Sequence, residues 1–98
     1  MPDMTIQDFA AKLVADKTFR KEVIGLCYDV EMDGKDQNAL GKWLRVGAEK
    51  MGYDFDGVEL QEAIMARVDK LNAFKKIAFM GSLITTANKA KKAAGAGK

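Results

Sequence analysis

The acidic run Asp29-Val-Glu31-Met-Asp33-Gly34 is the first feature whose spacing suggests chemistry. It sets carboxylates at positions 1, 3 and 5, and glycine at position 6, of a calcium-binding loop flanked by helices. Calcium needs six to eight oxygens, and such loops supply a bidentate Glu at position 12. Here position 12 is Leu40, and position 8, usually apolar, is Asp36. A second fragment, Asp54-Phe-Asp56-Gly57, has Gly52 at position 1 and Ala63 at position 12. Both runs lack the ligand that matters most, so each reads as a helix boundary with a solvated acidic turn.

Other reactive groups are sparse. The chain has no His, which excludes a Ser-His-Asp or Cys-His catalytic arrangement, a His-ligated zinc and an imidazole switch near neutral pH. Its single Cys27 excludes internal disulfides and paired-cysteine metal sites, and fits a reducing, cytoplasmic setting. Cys27 sits between Leu26 and Val30 on an apolar stripe, where a buried structural thiol is the expected role. None of the carboxylate pairs stands in an apolar run that would raise its pKa for proton transfer. The expectation is a protein that is not an enzyme and needs no cofactor and no metal.

The elements around these residues are helical by spacing. The chain has 98 residues, a length that suits one domain. Thr5, with Asp8 three residues on, predicts a first helix to about Ala15, with Ile6, Phe9 and Leu13 on one face. Asp16 predicts the start of a second, whose stripe is Phe19, Val23, Leu26, Cys27 and Val30. A third should start near Asn38, turn Leu40, Trp43, Leu44, Gly47 and Met51 inward, and end at Gly52. Asp56 with Glu59 predicts a fourth through Leu60, Ile64, Val68 and Leu71, continuing past Phe74 and Ala78 as far as Gly81. No segment alternates as a strand does. The fold class expected is all-α, a small four-helix bundle spanning residues 4–81.

Residues 82–98 are expected to be a flexible tail rich in Lys, Ala and Gly, with 88–98 disordered on composition. The net charge of +2 conceals an asymmetry. Residues 1–72 hold ten basic and fourteen acidic groups, while residues 73–98 hold six lysines and no acid. Three readings of that basic end are open. Its lysines suit weak, salt-sensitive contact with nucleic acid phosphates. Phe74, Ile77, Phe79, Met80, Leu83 and Ile84 with flanking Lys suit an anionic membrane surface. The third is a solubilising tail behind a helix packed on the domain. The start of the chain lacks the basic end and long apolar run of a signal peptide, and no stretch approaches the roughly 20 apolar residues of a membrane span.

Three segments also carry a family resemblance. They are TIQDFAAKLVADKTFRKEV, ALGKWLRVGAEKMGYDF and DGVELQEAI, with the Met-Gly-Tyr-Asp-Phe step at 51–55 the most specific part. In order and character they resemble the Nif11-like family over residues 4–65. These are short helical, leader-type domains named for their occurrence beside nitrogen-fixation genes. The resemblance implies a leader-containing precursor of a peptide natural product. Its helices would be bound by a peptide-modifying enzyme, which acts on the C-terminal segment. Tethering raises the effective concentration of a segment that has little affinity of its own. Phe9, Leu13, Phe19, Val23, Trp43 and Tyr53 are then the scaffold or docking positions. Cleavage after Gly81 would release residues 82–98, which contain no Cys for thioether rings. Backbone chemistry on Leu83, Ile84, Thr85 and Thr86 needs none. The alternative is a stand-alone helical adaptor whose basic C-terminal helix and tail bind a membrane surface or nucleic acid.

Overall fold

A computed structural model describes residues 4–95. Among them are five helices and no strand: α1 (Ile6–Ala15), α2 (Lys17–Cys27), α3 (Ala39–Lys50), α4 (Gly57–Val68) and α5 (Ala73–Gly95). The first four close a ring, each packing on the next and α4 returning to α1. Inside it Phe9, Leu13, Val23, Ile24, Leu44, Leu60 and Ile64 are completely removed from solvent. α5 lies outside the ring and packs chiefly on α2.

Local side-chain caps open four of the five described helices, α5 among them. The Thr5 hydroxyl accepts from the Asp8 backbone N–H at 3.1 Å and opens α1. Asp16 accepts from Thr18 and Phe19 to open α2, and Asp56 from Val58 and Glu59 to open α4. Each side chain satisfies N–H groups that the first turn leaves unpaired. α3 starts differently, because Asn38 makes no side-chain cap. Its Gly41 N–H donates instead to Gln61 Oε1 of α4 at 2.6 Å. α3 ends at Lys50 with Met51 as its cap, and the next residue, Gly52, has a φ of 99°, the left-handed conformation that glycine adopts without strain.

Several expectations need correction. α2 stops at Cys27, so Val30 falls in the following turn and is exposed. The Trp43 indole N–H donates to the Cys27 carbonyl at 2.8 Å, giving that helix end a partner from α3. The fourth helix does not run to Gly81. It ends at Val68, and the chain turns through Asp69–Asn72 before α5 begins. Asn72 caps the new helix, its side chain accepting from Lys75 N–H at 2.8 Å. The turn lets α5 fold back so that Phe79 and Leu83, four residues apart, reach the core. The described residues therefore form five helices rather than a four-helix bundle with a tail.

The expected boundary at residues 81 and 82 lies within continuous helix. α5 goes on through the low-complexity stretch to Gly95, where Ala and Lys, both strong helix formers, dominate. Residues 96–98 of the expected tail lie outside the described residues.

Candidate docking surface on the C-terminal helix

Of the six scaffold or docking positions named from the sequence, all but Tyr53 are in the core, where a scaffold residue belongs. Phe9, Leu13 and Val23 have no exposure, and Phe19 and Trp43 are buried. Tyr53 is half-buried. Phe9 is the hub of an aromatic cluster, with ring centroids 5.2 Å from Phe19, 5.4 Å from Tyr53 and 5.2 Å from Phe55, all edge-to-face. Tyr53 stacks on Phe55 at 5.0 Å. The Met-Gly-Tyr-Asp-Phe step thus turns two aromatics inward onto α1. Its specificity in sequence is accounted for by packing.

The acidic turns are committed to local structure. Asp36 accepts from Lys42 Nζ at 2.6 Å and from the Asn38 N–H at 2.8 Å. The Lys42 hydrogen bond, followed by that of Asn38, holds its carboxyl below the usual range. Asp33 accepts from the Lys35 N–H, and Leu40, where calcium would need Glu, is buried. Among the described residues no three potential ligands converge on a point that would hold a metal ion. Cys27 is fully buried, and burial pushes its thiol up to about 12, so at neutral pH it is a protonated core side chain.

Of the residues that attach α5, Phe79 and Leu83 stand out in the sequence as part of a surface set but are buried, and Arg20 is not singled out at all. Arg20 is buried although charged. Its Nη1 donates to the carbonyls of Leu13 at 2.8 Å and Val14 at 2.9 Å, near the C-terminal end of α1. Its guanidinium also lies 5.2 Å from the centroid of the Phe79 ring. One side chain on α2 thereby ties α1 to α5. Its sequence signal was faint, an Arg directly beside Phe19 on the face that points inward.

What α5 leaves uncovered is the most unusual surface described. Phe74 is 81% exposed, Ile77 74%, Ile84 63% and Met80 44%. At 3.6 residues per turn these four fall within an arc of about 120°, across the helix from Phe79 and Leu83. Single exposed apolar residues are ordinary, and it is the row of four on one helix that makes this face the candidate contact surface. The segment proposed for modification divides between the two faces. Leu83 is buried, Ile84 and Thr85 are exposed and Thr86 is half-buried.

Two grooves border α5. On one side Lys17 and Lys21 of α2 face Lys89, with Thr85 and Thr86 between, around a volume of about 510 Å³. On the other, Val30, Met32, Trp43, Ile84 and Ala87 line an apolar cleft of about 350 Å³, with Glu31 and Lys91 at its rim. The surface thus combines large apolar side chains with lysines, and no acidic residue follows Asp69. No described helix is long and apolar enough to cross a membrane. Compared with known proteins, the chain matches no family model, no curated protein and no solved structure.

Proposed function

We propose that this protein is a non-catalytic recognition module in which α1–α4 form the scaffold and the outer face of α5 makes the contact. The observation that carries the reading is the exposed row Phe74, Ile77, Met80 and Ile84 on a helix with apolar residues on both sides. A helix whose outer face met only water would gain nothing from large apolar side chains there. Placing a photo-crosslinking residue at Ile77 or Ile84 in the native host should give a discrete adduct with a cellular component. The same residue at Lys12 or Glu59, exposed on the scaffold, should not. Equal labelling from both sets, or none from α5, would remove the reading.

A second reading, the leader-type precursor related to Nif11-like domains, has one observation in its favour. Leu83–Thr86 lies on the element outside the ring, and α5 is anchored there by few buried side chains, chiefly Phe79 and Leu83. A peptide-modifying enzyme would have to lift this segment off α2 and open its helical hydrogen bonds before acting on the backbone. Intact-mass analysis of the protein from its native host should then show cleaved or mass-shifted forms confined to residues 82–98. A mass equal to that of the translated chain throughout growth would exclude it.

A further inference from the structure

We infer that α5 is an interfacial helix whose outer face rests on an anionic phospholipid surface. This rests on the reading of that face as the contact surface and names what it meets. Helices that lie in a membrane interface bury large apolar residues among the acyl chains near the headgroups and keep lysines at the polar level. α5 has both parts. Phe74, Ile77, Met80 and Ile84 form the apolar row, which extends over about half of a helix roughly 35 Å long.

The charge carried by α5 itself has one sign. Lys75, Lys76, Lys89, Lys91 and Lys92 lie along α5, and residues 73–98 contain no acid. Lys17 and Lys21 extend the positive charge onto α2, around the same groove as Lys89. Glu31, beside Lys91, is the acid that borders the opposite cleft. Lysine stems are long enough to follow apolar surface and still place their ammonium groups among headgroups.

The apolar row also separates lipid from the competing polyanions. Nucleic acid would use the lysines but leave Phe74, Ile77 and Ile84 in water, and no Arg follows Arg67 to make bidentate phosphate or base contacts. An acidic protein groove would single out particular lysines for fixed pairing. A fluid layer of anionic headgroups accepts them wherever they fall. The helix is too short in apolar residues to cross a bilayer, which leaves it lying on the surface.

The test is flotation of the full chain with vesicles of phosphatidylcholine alone and of phosphatidylcholine containing about one quarter phosphatidylglycerol. The protein should float with the second and bind the first at least about tenfold more weakly. Raising salt to about 0.3 M should weaken binding to the anionic vesicles severalfold, because exposed charges are then screened. The variant Phe74→Ser/Ile77→Ser/Ile84→Ser should lose about tenfold or more while melting as the parent does, since none of the three is in the core. Val58→Ser, an exposed apolar position on α4, should bind as the parent does. No flotation at lipid excess, equal binding to both vesicles, or unchanged binding of the triple variant would overturn the inference. So would binding to duplex DNA or an acidic protein with both vesicles ignored. If crosslinks from Ile77 go to a protein while flotation fails, the recognition module stands and the lipid assignment falls.

Discussion

Replacing Phe9 by Ala should destabilise the protein by about 3–5 kcal/mol, the range for removing a fully buried aromatic. The side chain has no exposure, and its ring meets Phe19, Tyr53 and Phe55 edge-on at 5.2–5.4 Å. Its neighbours come from α2 and from the step between α3 and α4. The cavity would therefore open where three parts of the chain meet, and no one of them can collapse into it alone. Edge-to-face pairs add about 0.5–1.5 kcal/mol beyond buried area, which argues for the upper part of the range. Small domains are stable by only about 5–15 kcal/mol, and at about 4–8 °C per kcal/mol the variant should lose at least roughly 12 °C and up to about 40 °C in Tm. Phe9→Leu keeps much of the volume and should cost less than half as much. Urea unfolding at constant slope would measure both, and a loss below about 1 kcal/mol for the Ala variant would mean the cluster is not close-packed.

The second large effect is a reversal of sign between two glycines. Gly→Ala within an exposed helix normally stabilises by about 0.5–1 kcal/mol, through entropy in the unfolded chain. Gly25 in α2 has open space where a methyl would go, and Gly25→Ala should follow that rule. Gly41→Ala should do the opposite and cost about 2–3 kcal/mol. A Cβ there would press on the Gly57 carbonyl and come 2.5 Å from the Gln61 backbone N and 2.6 Å from Gln61 Cβ. These are mostly backbone atoms of α4 and cannot rotate away. Moving α4 would also break the Gln61 hydrogen bond that satisfies the first turn of α3. Thermal melts of the two variants should move in opposite directions. A stabilised Gly41→Ala would show that α3 and α4 are not in such close contact.

The comparison of these positions shows what could be read from sequence. Thr5, Asp16 and Asp56 act on N–H groups two or three residues away, so helix starts were visible in short windows. The closeness of α3 to α4 at Gly41 depends on residues sixteen to twenty positions later, and no window contains it. The break after Val68 was hidden for a related reason. Leu71, Phe74 and Ala78 keep helical spacing across it, and only packing decides that Phe79 and Leu83 go inward instead. Composition suggested disorder in residues that the structure places in helix up to Gly95, because Ala and Lys are read equally well as low complexity or as helix formers.

The site was legible in type rather than in position. An apolar row with lysines was seen in the sequence around residues 74–84. Phe9, Phe19 and Trp43 have the same apolar character in sequence, yet they fill the interior, the scaffold half of the two roles open to them. Hydrophobicity alone does not distinguish a face that meets a partner from one that meets the rest of the chain. Arg20 carries little signal in the sequence because its role is to join two distant elements at once.

That joining has a consequence for how the molecule opens. Of the large side chains in α5, among the described residues, only Phe79 and Leu83 are buried, whereas every helix of the ring shares one continuous interior. Cooperative units with few buried contacts detach at free energies well below that of global unfolding. α5 should therefore swing away from α2 as a unit, exposing Phe79 and Leu83 while Arg20 keeps its grip on α1. The molecule would alternate between a docked form with one apolar face to offer and an open form with two. A partner that favours the open form would hold the helix by its entire circumference.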